Sequence, residues 1–174
     1  MEELRYPNGP YNTVQYLDEK ELRICIQRIE SFPEILKNFV ASFNTSDWQA
    51  TYRPGGWSAV QLVHHLADSH LHSYARFRHA VTEETPTIKD YPESLWAELE
   101  DAQSIEHIPA SLQMITGIHQ RWGAFLKKLK PKDYNRSFYH PETQTHHSLY
   151  QALAYYSWHC DHHLGHLKII KNKA

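Results

Sequence analysis

Apolar residues recur at three- and four-residue steps in four separate stretches of this chain, which restricts it to packed amphipathic helices. The first stretch begins at Asp18 and carries Leu22, Ile26, Ile29, Ile35, Leu36, Phe39, Val40 and Phe43. Pro33 interrupts it. Proline lacks an amide hydrogen and crowds the preceding turn, so a kink or short break is expected there. The second follows the turn Tyr52-Arg53-Pro54-Gly55-Gly56-Trp57 and opens on Ser58-Ala59-Val60-Gln61. In that capping box the serine accepts from an amide three residues on, and the glutamine reaches back. This helix is expected to run to about Thr82. The third spans about Ala110 to Leu129, with Leu112, Ile115, Ile118, Trp122, Phe125, Leu126 and Leu129 as its apolar positions, and Pro131 closes it. A second capping box, Ser148-Leu149-Tyr150-Gln151, opens the fourth, which runs to about Lys171. Lys168 and Lys171 in its last turns suit the negative end of the helix dipole.

The segments between are rich in turn formers. Residues 1–17, with Tyr6-Pro7-Asn8-Gly9-Pro10-Tyr11, read as an extended arm. Pro86, Pro92 and their polar neighbours form a long connection, with a short helix around Pro92 to Leu99. Phe138 to His147 surrounds a Pro141-Glu142-Thr143 turn and suits a small β-hairpin. The expected architecture is all-α: a four-helix bundle with a long crossover connection and a small hairpin before the last helix. At 174 residues it is one domain, residues 1–174. Bundles of this kind build metal and cofactor sites from side chains on facing helices.

Charge narrows the partners. The net charge is −2 with acidic and basic residues interspersed, which gives no basic footprint for nucleic acid and no polybasic segment for a membrane surface. No apolar run approaches the roughly 20 residues of a membrane helix. The start, Met1-Glu2-Glu3-Leu4-Arg5, is acidic where a signal peptide is basic and then apolar, so a cytoplasmic location is the simplest reading. Cys25 and Cys160 are too few for a disulfide framework and read as free thiols.

The compositional oddity is 14 histidines, most of them in residues 64–79 and 159–166. The fourth helix contains Trp158-His159-Cys160-Asp161-His162-His163-Leu164-Gly165-His166. With His159 at zero on a wheel of ~100° per residue, His163 falls near ~+40°, His166 near ~−20° and His162 near ~−60°. All four occupy the flank the helix buries, whereas Cys160 is off it. Imidazoles at i and i+4 let one helix supply two ligands to one zinc-like ion, and a third must then come from elsewhere. On the second helix His65, Asp68, Ser69 and His72 share a face. A three-histidine site leaves one coordination position open, as catalytic zinc sites do. Spacing alone leaves open whether these histidines bind metal or are hydrogen-bonded core residues. It also leaves His162 and His166 as an alternative pair to His159 and His163. There is no H-E-x-x-H, which disfavours a zincin-type protease. Asp68 is either a solvated helix carboxylate or a group that orients an imidazole through its second nitrogen. Trp57, Trp122 and Trp158 read as core rather than as a stacking surface for nucleic acid.

Several blocks in one order resemble the DinB superfamily, and its YfiT branch of metal-dependent hydrolases in particular. They are Tyr6-Pro7; Tyr52 to Ser58; Val63-His64-His65-Leu66-Ala67-Asp68-Ser69-His70; Thr82-Glu83-Glu84-Thr85-Pro86; Phe138-Tyr139-His140-Pro141; and Trp158-His159 with His162, His163 and His166. The resemblance implies a four-helix bundle, commonly a homodimer, holding one divalent metal per subunit, zinc or nickel. It assigns as ligands His65, His159 and His163. Asp161 stands where related chains often carry another residue, off the ligand face. The implied activity is hydrolysis of a small-molecule substrate, with water activated at the open position of a Zn2+ or Ni2+ ion. Other branches of the superfamily imply an alternative, in which the metal activates a low-molecular-weight thiol such as bacillithiol for S-transfer. A third expectation is a non-catalytic metal-binding or stress-related protein. His162, His166 and Asp68 are the candidates for orienting or acid–base roles.

Overall fold

Side-chain caps start the helices where the sequence supplies them. The computed structural model describes residues 2–173. A single turn, α1 (Glu2–Arg5), interrupts what reads from sequence as an extended arm. Helix α2 (Glu19–Val40) opens on a capping box between Asp18 and Glu21. Helix α3 (Thr45–Gln49) opens on another between Asn44 and Asp47. This short helix is absent from the sequence reading, because five residues carry too little periodicity to register. Helix α4 (Ala59–Thr82) begins at the Ser58–Gln61 box. A short α5 (Glu93–Ala97) lies in the long connection before α6 (Ile108–Leu126). Strands β1 (Ser137–His140) and β2 (Thr145–Ser148) pair antiparallel, with Ser137 opposite Ser148. Helix α7 (Leu149–Lys173) starts where Gln151 and Ser148 exchange hydrogen bonds of 2.8 and 3.2 Å.

Helix α2 runs unbroken through Pro33, so the expected break does not occur. The residue is buried. The carbonyl that its missing amide leaves without a partner is satisfied by a side chain of another helix, His119.

The four long helices touch in the cyclic order α2, α6, α4, α7. Helices consecutive in sequence, α2 with α4 and α6 with α7, therefore lie on the diagonals. Residues 41–58 and 127–148 make these diagonal crossings. The inward faces carry Ile29, Phe32 and Leu36 from α2; Leu62, Leu66 and Phe77 from α4; Ile115, Trp122 and Leu126 from α6; and Leu149, Leu153 and Leu167 from α7. Each is fully buried or nearly so, and each contributes about 1.5–3 kcal/mol by leaving water. No described helix is long and apolar enough to cross a membrane.

Two peripheral elements close over one side of α7. The hairpin is tied to the long connection by Ile88 N–H donating to Tyr139 O (3.0 Å) and Tyr139 N–H donating to Pro86 O (2.9 Å). The N-terminal arm lies along α7, where Asn8 Nδ2 donates to Asp161 O (2.6 Å) and Trp158 Nε1 donates to Gly9 O (3.3 Å). Gly165 makes that approach possible, since a Cβ there would sit 2.6 Å from Cγ of Pro7. At the far end of α7, Lys171 does more than face a dipole. Its Nζ donates to Asp47 Oδ2 (2.7 Å) and Ser42 O (3.0 Å), fastening α7 to the α2–α3 junction.

Candidate metal centre

The histidine-bearing faces of α4 and α7 meet. His65 Nε2 lies 3.3 Å from His159 Nε2, and His163 Nε2 lies 3.1 Å from the same atom. One ring nitrogen from each of the three lies within 4.8 Å of the others. All three side chains are buried. Burial, then the neighbouring imidazoles, pushes each ring's pKa down, His65 to about 3 and His159 and His163 well below the ordinary value. The rings are therefore neutral at neutral pH, and a neutral imidazole nitrogen is the commonest protein ligand for a divalent metal. Three such nitrogens converging from two helices fit a zinc or nickel ion.

The adjacent histidine pair on α4 divides cleanly. His64 turns away, with Nδ1 2.8 Å from Ser111 Oγ and Nε2 3.0 Å from Ser104 O, and so ties α4 to α6 and the connection before it. His65 faces α7 beneath Trp57, whose ring centroid is 4.7 Å away, and its Nδ1 lies 3.5 Å from the Tyr91 hydroxyl.

The alternative pair on α7 is arranged differently. His162, His163 and His166 also bring ring nitrogens within 4.8 Å of one another. His166 already has partners for both nitrogens: Nε2 lies 3.1 Å from Arg5 O and Nδ1 lies 3.3 Å from His163 Nδ1. Its ring stacks on Tyr52 at 3.9 Å. His162 stacks on Trp158 at 4.3 Å, and its buried Nδ1 has no hydrogen-bond partner among the described residues. Both border the same cavity as the three converging rings.

Asp68 is placed elsewhere. It is half-buried and does not line the cavity, and burial together with Asp101 raises its carboxyl to about 6. His72 stacks under Tyr91 (4.5 Å) rather than joining the cluster. Cys160 is fully buried, and burial pushes its thiol well up, so it offers no thiolate. Cys25 is also free.

The cavity above the three rings has a volume of about 760 Å³, within the range of small-molecule sites. Tyr155, Trp158 and Phe138 supply apolar wall, and Arg5, Arg53 and Arg76 bring positive charge near Glu93 and Glu142.

Two buried histidines escape the sequence reading. His70, on α4, places Nε2 3.1 Å from His159 Nδ1, and its own Nδ1 lies 2.6 Å from His119 Nε2 on α6. Both are fully buried. The available signal for His119 is its place on the apolar stripe of Ile115, Trp122 and Leu126, where a polar residue needs a partner. For His70, whose neighbours on α4 are also histidines, no signal separates it from them.

A diagonally wound helical bundle with a buried three-imidazole cluster at the floor of an open cavity defines a class. The chain belongs to the DinB superfamily, whose family model matches residues 28–167. It is similar to YfiT of Bacillus subtilis, named as a candidate metal-dependent hydrolase, at 40% identity over 94% of this chain and 92% of that one. A candidate metal-dependent hydrolase of Bacillus licheniformis is 39% identical over 97% of this chain and 95% of its own. The solved structure of the Bacillus subtilis protein, described as a probable metal-dependent hydrolase with an unusual four-helix bundle topology, superposes with a TM-score of 0.94. It shares 38% identity and covers 98% of this chain and 97% of its own.

Proposed function

We propose that this chain holds one divalent metal ion, Zn2+ in the first instance and Ni2+ in the second, through His65, His159 and His163, and hydrolyses a small-molecule substrate. The observation that carries the reading is the convergence of three neutral imidazole nitrogens on the floor of a cavity large enough for a substrate. A bound ion would supply Lewis acidity, lowering the pKa of a water ligand toward ~7 and polarising a substrate carbonyl or phosphoryl oxygen. The chain's own residues do the rest. Trp57 and Tyr91 pack around His65 and limit the directions its ring can face. The aromatic wall offers apolar contact to a substrate, and the arginines would orient its anionic parts. His162, whose ring borders the cavity, is the candidate to exchange a proton with substrate.

The test is metal content by elemental mass spectrometry on untagged protein, followed by a panel of ester, amide and phosphoester substrates. One equivalent in wild type, lost in His65→Ala, His159→Ala and His163→Ala, supports the site. A wild type that stays metal-free after incubation with zinc and nickel overturns it.

The three arginines bordering the cavity favour one second reading, thiol S-transfer. Their charge suits the carboxylates of a low-molecular-weight thiol, and a zinc-like ion stabilises a thiolate as readily as hydroxide. Conjugation of a bromoalkane or epoxide to bacillithiol, measured beside hydrolysis, separates the two.

A further inference from the structure

Two of the three converging rings are the ends of longer hydrogen-bonded chains, and each chain terminates on a backbone carbonyl. A carbonyl oxygen only accepts, so it fixes the direction of every bond behind it. The longer chain starts at Ile29 O on α2, which lies 2.5 Å from His119 Nδ1. In an uninterrupted helix that oxygen accepts from the amide four residues on, but residue 33 is proline and has none. His119 therefore donates from Nδ1 and presents a lone pair at Nε2. His70 must then donate from Nδ1 across 2.6 Å, which leaves its Nε2 as an acceptor. His159 donates to it from Nδ1 across 3.1 Å. The lone pair of His159 is thereby left on Nε2, the atom facing His65 and His163.

The shorter chain starts at Arg5 O in the N-terminal arm, which accepts from His166 Nε2 across 3.1 Å. His166 accepts on Nδ1 from His163 Nδ1 across 3.3 Å, which again leaves the lone pair on Nε2. His65 has no such anchor, since either it or the Tyr91 hydroxyl can donate across their 3.5 Å.

We infer that His70, His119 and His166 are positioning residues that set the tautomers of His159 and His163, so that both present an unprotonated Nε2 to a metal before it arrives. This rests on the three-histidine reading above. Burial agrees with it for the longer chain, since it pushes His119 to about 4, disfavouring the extra proton that would reverse the bonds. The longer chain touches all four long helices in turn: Ile29 on α2, His119 on α6, His70 on α4 and His159 on α7. It also gives Pro33 a role, as the residue that frees the carbonyl at its root.

The test uses the full chain labelled with 15N-histidine. Long-range 1H–15N spectra of the metal-free protein at neutral pH report which ring nitrogen carries each proton. His119, His70, His159 and His163 are expected on Nδ1, and His166 on Nε2. Zinc affinity is then measured by competition with a chelating indicator. His70→Phe and His166→Phe should still bind one equivalent, about 10- to 100-fold more weakly. His119→Leu touches neither the metal site nor His159, yet should split the His159 tautomer. His119→Gln should restore it, because the amide O–C–N group presents an acceptor and a donor much as the imidazole N–C–N does. If wild type binds zinc while His159 carries its proton on Nε2, the relay is overturned and the metal site stands. The relay is equally overturned if both phenylalanine variants bind zinc as tightly as wild type. A wild type that takes up no zinc overturns the metal reading itself, and the spectra of the metal-free protein distinguish that failure from the other.

Discussion

The link between Pro33 and His119 predicts a measurable coupling between two residues on different helices. Replacing His119 with leucine leaves two buried polar groups without partners, the Ile29 carbonyl and the His70 Nδ1–H. Each orphaned group costs about 1–3 kcal/mol, so the variant should lose about 2–6 kcal/mol. Against a total stability of about 5–15 kcal/mol this is severe but survivable. At ~2–4 °C per kcal/mol for a chain of this size, the melting temperature should fall by roughly 4–24 °C. Pro33→Ala changes the account of one of those groups. An alanine amide at position 33 is placed to donate to the Ile29 carbonyl, as in any helix interior. In that background His119→Leu orphans only His70, and its cost should shrink by about 1–3 kcal/mol. The void left by the proline ring is common to Pro33→Ala and Pro33→Ala/His119→Leu and cancels in the cycle. The assay is denaturant unfolding of the four proteins with a chelator present, so that metal linkage does not enter. A coupling below about 0.5 kcal/mol, the level of independent sites, would refute the account of the helix passing through Pro33.

Three further outcomes are expected. Gly165→Ala drives a Cβ into the ring of Pro7, which cannot bend aside, so the arm should lift from α7; faster proteolytic cleavage after Arg5 and weaker zinc binding through the freed His166 check this. For Asp68 the folded carboxyl sits at about 6, above ~3.9 in the unfolded chain. The folded state therefore holds more protons between those values, and stability falls as pH rises through that window. Asp68→Asn should remove the fall and gain about 1 kcal/mol over wild type above it, after allowing for solvent around the group, with the two converging in acid; equal pH profiles would refute it. Saturating zinc at ~100-fold over its Kd should raise wild-type stability by about 2.7 kcal/mol, reversed by chelation and absent from His163→Ala.

The parts of the fold that are legible in the sequence are those with a strong local signal. The Ser58–Gln61 and Ser148–Gln151 boxes mark the starts of α4 and α7 because both partners of each cap are local. The turn at Pro141-Glu142-Thr143 marks the hairpin for the same reason. Helix periodicity also puts His159 and His163 on one face. It gives no choice between His64 and His65, which differ only in which neighbouring helix each one meets. Pro33 misleads for a related reason. Its local consequence is a lost hydrogen bond, while its remedy comes from His119, 86 positions further along the chain. The diagonal winding is equally nonlocal, because residues 41–58 carry turn chemistry but no record of which helix they bypass.

Because the His159 chain needs all four helices in register, affinity for metal would, on the proposed reading, become a gauge of tertiary order. A loosened bundle, with its helices intact but its side chains fluctuating, would keep its far-ultraviolet circular dichroism while the imidazoles sampled both tautomers. Such a state should bind zinc poorly even though every ligand is still present. Metal occupancy would then discriminate finished molecules from nearly folded ones, and do so more sharply than helix content could.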